Sequence, residues 1–290
     1  MSVRPATGSA VLAAAPHRIG TVTLVVHDLD AVSGFYQDVV GLAVLNRHTD
    51  TVLLGSGDTA LVELVRDPAA RRRSSREAGL FHTAFLLPSR ADLGAWLFHA
   101  SQRGFTLQGA ADHSVSEALY LADPEGNGVE IYADRPTDQW PTEGAGYRMA
   151  SDPLDFRSVV EAAGDHRWQG FPDGGEVGHV HLQVGAIPPA ERLYGELLGF
   201  DLTCRYPGGS FFGSGGYHHQ LAANIWNSRN APPRTEPVTG LAHVELLARD
   251  RSIVEATAAR LAPAAVATTP IDGGFAVRDP WGTRIHLRTS

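Results

Sequence analysis

The chain has 290 residues, enough for two domains of ordinary size that each bury a core, and with 43% hydrophobic and 19% charged residues it reads as soluble and globular. A net charge of −8 argues against a nucleic-acid partner, and the one basic cluster, Arg71-Arg72-Arg73, reads as an exposed loop. No apolar run approaches the length of a membrane span, and the single Cys204 excludes an internal disulfide, which fits a reducing, cytoplasmic setting with Cys204 as a buried packing residue.

In chain order, residues 1–16 are small and Ala-rich, with too short an apolar run for a signal peptide, and read as a flexible tail. A strand over 19–24 passes into a helix in which Leu29, Val32, Phe35, Tyr36, Val39 and Val40 recur at helical spacing before Gly41 stops it. Strands follow at 51–54 and 60–65. A later amphipathic helix carries Trp96 and Phe98 toward the core. Asp123-Pro124-Glu125-Gly126 is a turn, with Glu130 on the strand after it. Residues 134–175 hold Pro136, Pro141, Pro153 and Pro172 and read as a linker with a short helix near 154–163.

The chain then repeats itself. Ile19-Gly20-Thr21-Val22-Thr23-Leu24 aligns with Val177-Gly178-His179-Val180-His181-Leu182, and Phe35 to Leu42 with Leu193 to Phe200, both at an offset of 158 residues. A weaker pair sets Gly79-Leu80-Phe81-His82 against Gly240-Leu241-Ala242-His243, and Asp123-Pro124-Glu125-Gly126 against Asp279-Pro280-Trp281-Gly282. The expected class is therefore α+β, with four βαβββ modules, two in residues 17–133 and two in 176–290, forming two cupped mixed sheets. Strand alternation turns His179, His181 and Gln183 to one face and Val180, Leu182 and Val184 to the other.

Chemistry concentrates in residues 111–130. His113, Leu119-Tyr120, Asp123-Pro124, Gly126 and Glu130 are spaced as in the fingerprint of the type I extradiol dioxygenases, and the chain is identified by them as a member of the vicinal oxygen chelate (glyoxalase/bleomycin resistance/dioxygenase) superfamily. One position departs: Ala111 stands where that family usually has Gly, Asn, Thr or a β-branched residue. Tyr217-His218-His219-Gln220-Leu221-Ala222 resembles a second extradiol segment, in which the second His, here His219, faces substrate and oxygen. Ser116 to Tyr120, Ile131 to Pro136 and Gly215 to His219 most resemble the bacterial CatE-like catechol 2,3-dioxygenases.

The resemblance implies metal ligands on the first and last strands of the modules. Those slots hold Thr21, His82, Glu130, His179, His243 and His286. Pairing within halves would give one cup His179, His243 and His286. Pairing of module two with module three would instead unite His82, Glu130 and His179, the two-His-one-carboxylate set of a non-haem Fe(II) site. The fingerprint sits in module two here, whereas common extradiol enzymes carry it in their last module. His243 and His286 then read as a remnant site, and His218 either belongs to the His-His segment or is a plain strand residue. His48, His99 and His166 read as surface or hydrogen-bonded residues, the Gly208-Gly209 and Gly213–Gly216 stretches as turns, and Tyr206, Phe211, Phe212 and Trp226 as pocket wall or core.

What the resemblance implies is an extradiol ring-cleaving dioxygenase acting on a catechol-type aromatic diol with O2 at Fe(II), or Mn(II), which accepts the same ligands. His219, His113 and Tyr120 would be its acid-base and hydrogen-bonding residues, and exposed sheet edges would join into a homodimer. Two other classes stand beside it: a protein that binds an aromatic natural product without catalysis, and a glyoxalase-type isomerase or lyase.

Overall fold

A computed structural model describes residues 7–290. A short helix α1 (Gly8–Ala14) leads into β1 (His17–Val26). Helix α2 (Leu29–Phe35) starts where the Asp28 side chain accepts the Ala31 N–H, continues as a π-helical turn over 36–40, and ends at Gly41, whose φ of +89° suits a residue without a β-carbon. The first module closes with β2 (Ala43–Arg47), β3 (Thr51–Ser56) and β4 (Thr59–Arg66). The second comprises β5 (Gly79–Leu86), α3 (Arg90–Arg103), β6 (Gly109–Asp112), β7 (Ser116–Ala122) and β8 (Gly128–Asp134). A small hairpin, β9 (Thr142–Glu143) and β10 (Gly146–Tyr147), and helix α4 (Phe156–Ala163) form the connection. The third module is β11 (Glu176–Gln183), α5 (Ile187–Ala190) with a π-helical turn over 191–197, β12 (Asp201–Tyr206), β13 (Gly209–Gly213) and β14 (Leu221–Asn224). The fourth is β15 (Gly240–Ala248), α6 (Arg251–Leu261), β16 (Thr268–Ile271), β17 (Gly274–Arg278) and β18 (Arg284–Thr289).

The four modules make two eight-stranded mixed sheets. One runs β16-β17-β18-β15-β1-β4-β3-β2 and the other β12-β13-β14-β11-β5-β8-β7-β6. Module one pairs with module four through antiparallel β1 and β15, and module two with module three through antiparallel β11 and β5. Each module leaves the outer edge of its first strand unpaired, and joining two such edges satisfies both. The sheets therefore cut across the sequence halves, and the connection over 134–175 bridges from one module of the second sheet to the other.

Side-chain alternation builds the core. Val180, Leu182 and Val184 are fully buried among Phe85, Ile131 and the helix residues Leu93 and Trp96, in a cluster that also takes in Val22, Leu24, Leu64 and Tyr36 of the first sheet. Trp96 Nε1–H donates to the Val39 carbonyl at 2.8 Å and so ties α3 to the end of the first module's helix. Helix α4 lies so close to α3 that a β-carbon on Gly94 would come within 2.2 Å of the Val159 carbonyl oxygen.

Three expectations need correction, and one open alternative is decided. The segment taken as a flexible tail contains α1, whose Leu12 is fully buried with Ala84, Leu86, Tyr132, Trp140 and Tyr217, because burying Leu12 offsets the cost of ordering the helix; residues 1–6 of that tail lie outside the described residues. Phe98 is exposed on α3, with the Arg167 guanidinium over its ring, since the buried face of that helix is set by Leu93, Trp96, Leu97 and Ala100. Of the aromatics read as pocket wall or core, Phe212 is core, one register position away from the pocket-facing Phe211. Cys204 is only half-buried.

Candidate active site

Three adjacent strands of the second sheet bring the main donors together. Parallel β5 and β8 place Ala84 beside Glu130, and antiparallel β11 places His179 on the other flank of Ala84. Residues opposite one another across strands share a face, so Tyr120, Glu130, Ala84 and His179 form one row, with His82 and His181 paired in the next. Alanine at the centre leaves the space over which the flanking side chains meet.

The result is a buried cluster. His82 Nε2 lies 2.9 Å from Glu130 Oε2, His179 Nε2 3.4 Å from the same oxygen, and the two Nε2 atoms 3.3 Å apart. Among the described residues these three are the only group of His, Cys, Asp or Glu donors close enough to hold a metal, their ligand atoms all within 4.8 Å of one another. Burial by itself would raise the Glu130 carboxyl, but the imidazoles of His179 and His82 against it hold it well below the usual carboxylate range. Burial lowers His179 to about 4, against the pull of Glu130, so it is neutral at neutral pH. An ionised carboxylate beside a lone-pair-bearing imidazole is what a divalent cation requires of its ligands, and the donor set fits one.

A cavity of about 410 Å³ opens onto this cluster, within the usual size range for small-molecule sites. Phe81, Phe211 and Trp226 supply aromatic walls, and His181 and His219 line it with the three donors. Burial lowers both His181 and His219 well below the ordinary histidine value, so both are neutral.

His113 and Tyr120 also line the cavity and hydrogen-bond to each other. His113 Nδ1 is 2.7 Å from the Ala150 carbonyl, which can only accept, so Nδ1 carries the hydrogen. His113 Nε2 lies 2.6 Å from the Tyr120 hydroxyl, which also hydrogen-bonds the Glu130 carboxylate. The Tyr120 phenol is pushed well above its ordinary value by burial and by the nearby Glu130 carboxylate, and stays protonated. Ala150 belongs to the connection between modules, which supplies Met149, Ala150 and Ser151 to the cavity wall.

Behind Glu130 the Asp-Pro-x-Gly turn is locked by Asp123, whose Oδ1 accepts the N–H groups of Glu125 and Asn127, each at 2.9 Å. Asp279 repeats the device in module four, accepting from Trp281 and Thr283 at 2.9 and 2.7 Å. The turn is thus a structural element of the repeat, while the His and Tyr of the fingerprint occur in module two alone.

The first sheet collects a different set. His243 and His286 stack with ring centroids 3.9 Å apart. The Thr23 hydroxyl donates to Glu63 at 2.9 Å, which leaves it to accept from His243 Nε2 at 3.2 Å. Thr21 lies in this sheet too, its N–H donating to Glu245 at 3.2 Å. His218 sits beside the pocket, fully buried, with Nε2 2.8 Å from Asp134 and Nδ1 2.8 Å from His219 Nδ1.

Sequence reasoning assigned no role to His181, Asp134 or Asn224, whose side-chain amide is 3.0 Å from His181 Nε2. Strand alternation did set His181 on the same face as His179, without a role for it. For Asp134, at the end of β8, no local signal exists.

Known proteins resemble this chain over most of its length. The model of the Glyoxalase/Bleomycin resistance protein/Dioxygenase superfamily matches residues 18–131 and again 176–287. The chain is 37% identical to the catechol-2,3-dioxygenase of Bacillus subtilis strain 168 over 267 residues, covering 90% of this chain and 93% of that protein. It is 29% identical to biphenyl-2,3-diol 1,2-dioxygenase 3 of Rhodococcus globerulus over 120 residues, 40% of this chain and 63% of that one. In fold it resembles a dioxygenase candidate from Bacillus subtilis, at a TM-score of 0.62 and 14% identity over 94% of this chain and 84% of that one. It also resembles glyoxalase I of Zea mays, at a TM-score of 0.56 and 16% identity over 96% and 94%. The doubled family match, the two cupped sheets and the buried donor cluster lead to one conclusion: the chain belongs to the Glyoxalase/Bleomycin resistance protein/Dioxygenase superfamily, among its metal-dependent dioxygenases.

Proposed function

We propose that the protein is an extradiol ring-cleaving dioxygenase that opens a catechol-type aromatic diol with O2, using Fe(II) held by His82, Glu130 and His179. The observation that carries this reading is the convergence of those three donors in an aromatic-walled cavity that His219, Tyr120 and His113 also line. The named activity of the Bacillus subtilis relative supports it. When bound, the ion would supply a template for diol and O2 and a route for electron density between them.

The chain's own residues do the rest. His219, neutral and facing the cavity, accepts the proton of a substrate hydroxyl. Tyr120, hydrogen-bonded to His113, lines the cavity where it can hydrogen-bond a second substrate hydroxyl. Phe81, Phe211 and Trp226 exclude water and hold the ring in place. The cytoplasm, where Cys204 stays reduced, suits an oxygen-sensitive ion.

Anaerobic loading with Fe(II), followed by catechol and O2, tests the reading. A yellow ring-opened product is expected. Iron bound without colour across a panel of substituted catechols would shift the weight to a glyoxalase-type reaction or to a binding protein.

A further inference from the structure

His219 is joined to a buried carboxylate through His218. The Asp134 side chain is 4% exposed and that of His218 wholly buried. His218 is clamped by the rings of Tyr217 and Trp140, at centroid distances of 4.1 and 5.0 Å. Gly8 of α1 closes over Asp134 so tightly that a β-carbon there would fall 1.7 Å from Oδ2. The chain is therefore sealed at its carboxylate end and opens only at His219.

Counting protons along it gives a single pattern for neutral imidazoles. The Asp134 carboxylate only accepts, so His218 Nε2, 2.8 Å from Oδ1, carries a hydrogen. His218 Nδ1 is then bare. The 2.8 Å contact between His218 Nδ1 and His219 Nδ1 needs one hydrogen, which must come from His219. That leaves His219 Nε2 without a hydrogen, on a ring that lines the cavity.

We propose that Asp134 and His218 are positioning residues that hold His219 in the Nδ1–H tautomer, presenting a bare Nε2 to the substrate. The proposal rests on the reading of His219 as the pocket's proton acceptor. One proton moves from the substrate oxygen to His219 Nε2. The resulting imidazolium keeps its Nδ1–H bond to His218, which remains bonded to Asp134, and no electrons are transferred. With the opposite tautomer His219 would present a donor and could not act as the base.

Nitrogen-15 NMR of the full chain, labelled at histidine and loaded with diamagnetic Zn(II), reads the tautomer directly, with His219→Gln identifying the signal. We expect protonated Nδ1 and bare Nε2 on His219, and a loss of that single tautomer in Asp134→Asn, whose amide can donate as well as accept. In the iron-loaded enzyme Asp134→Asn should lower kcat by about 100-fold, the scale of a general base, with KM within about threefold and iron content unchanged. A wild-type spectrum with hydrogen on His219 Nε2, or with both nitrogens of His218 protonated, would overturn the proposal. So would an unchanged kcat in Asp134→Asn. If the spectrum is as expected but no ring is cleaved by wild type, the functional reading fails and the tautomer assignment stands.

Discussion

The Nε2 atoms of His82 and His179 lie 3.3 Å apart although the residues are 97 positions apart in sequence and sit on strands from different halves of the chain. Two imidazole nitrogens and the Glu130 oxygen aimed at one point are stable together only if something positive lies between them, a proton or a metal.

Removing the carboxylate should therefore remove the metal. Glu130→Ala is expected to lower bound metal and ring-cleaving activity together, by at least the roughly 10–100-fold that losing an outer-sphere partner costs. His286→Ala, in the other sheet, should leave both nearly intact. Metal analysis beside product formation checks the pair, and the opposite ranking would place the working site in the first sheet.

His219→Ala should separate binding from turnover. It keeps all three donors, so metal content is expected to match wild type while kcat falls by about 10²- to 10⁴-fold. Loss of metal in this variant would make His219 a ligand.

Glu176 predicts a pH dependence of stability. Burial raises its carboxyl to about 7, with Arg18 opposing and Asp134 adding to the rise. The folded state then holds a proton that the unfolded state, near 4.5, releases, so Glu176's contribution is fully present below pH 4.5 and is lost as pH rises through 7. The loss reaches up to about 3 kcal/mol. Urea denaturation at pH 5.5 and 8 should show Glu176→Gln relatively more stable at the higher pH; equal shifts at both would count against the assignment.

Trp96→Phe tests the joint between the first module and α3. It leaves the buried Val39 carbonyl without its 2.8 Å donor and removes part of a fully buried ring, at a cost of about 1–3 kcal/mol. Chemical denaturation measures it, and a change under about 0.5 kcal/mol, the range of an ordinary surface substitution, would mean that the bond contributes little.

Much of this was legible locally. The offset of 158 residues between repeats, the alternation along 179–184 and the turn before Glu130 are short-range signals, and they specify the modules, the buried faces and the strand that carries the carboxylate. Phe98 and Phe212 show the limit of such signals, because an apolar residue at the edge of an amphipathic stripe or beside a pocket takes its environment from what packs against it. The role of α1 was likewise invisible, since a short Ala-rich stretch orders only when a groove exists to receive Leu12.

By itself, then, the sequence determined that the chain is four copies of one module and which residue types each copy offers to its open face. Tertiary structure alone decided which copies share a sheet. Every module offers the edge of its first strand, so backbone hydrogen bonding alone does not distinguish the pairings; in the observed one, modules one and two lie in different sheets and meet through Trp96 on the Val39 carbonyl and Glu125 on the N–H groups of His27 and Asp28, the latter two at 2.7 Å. That choice put His82, Glu130 and His179 together, and it set Asp134 behind His218 and His219 across 84 residues of chain.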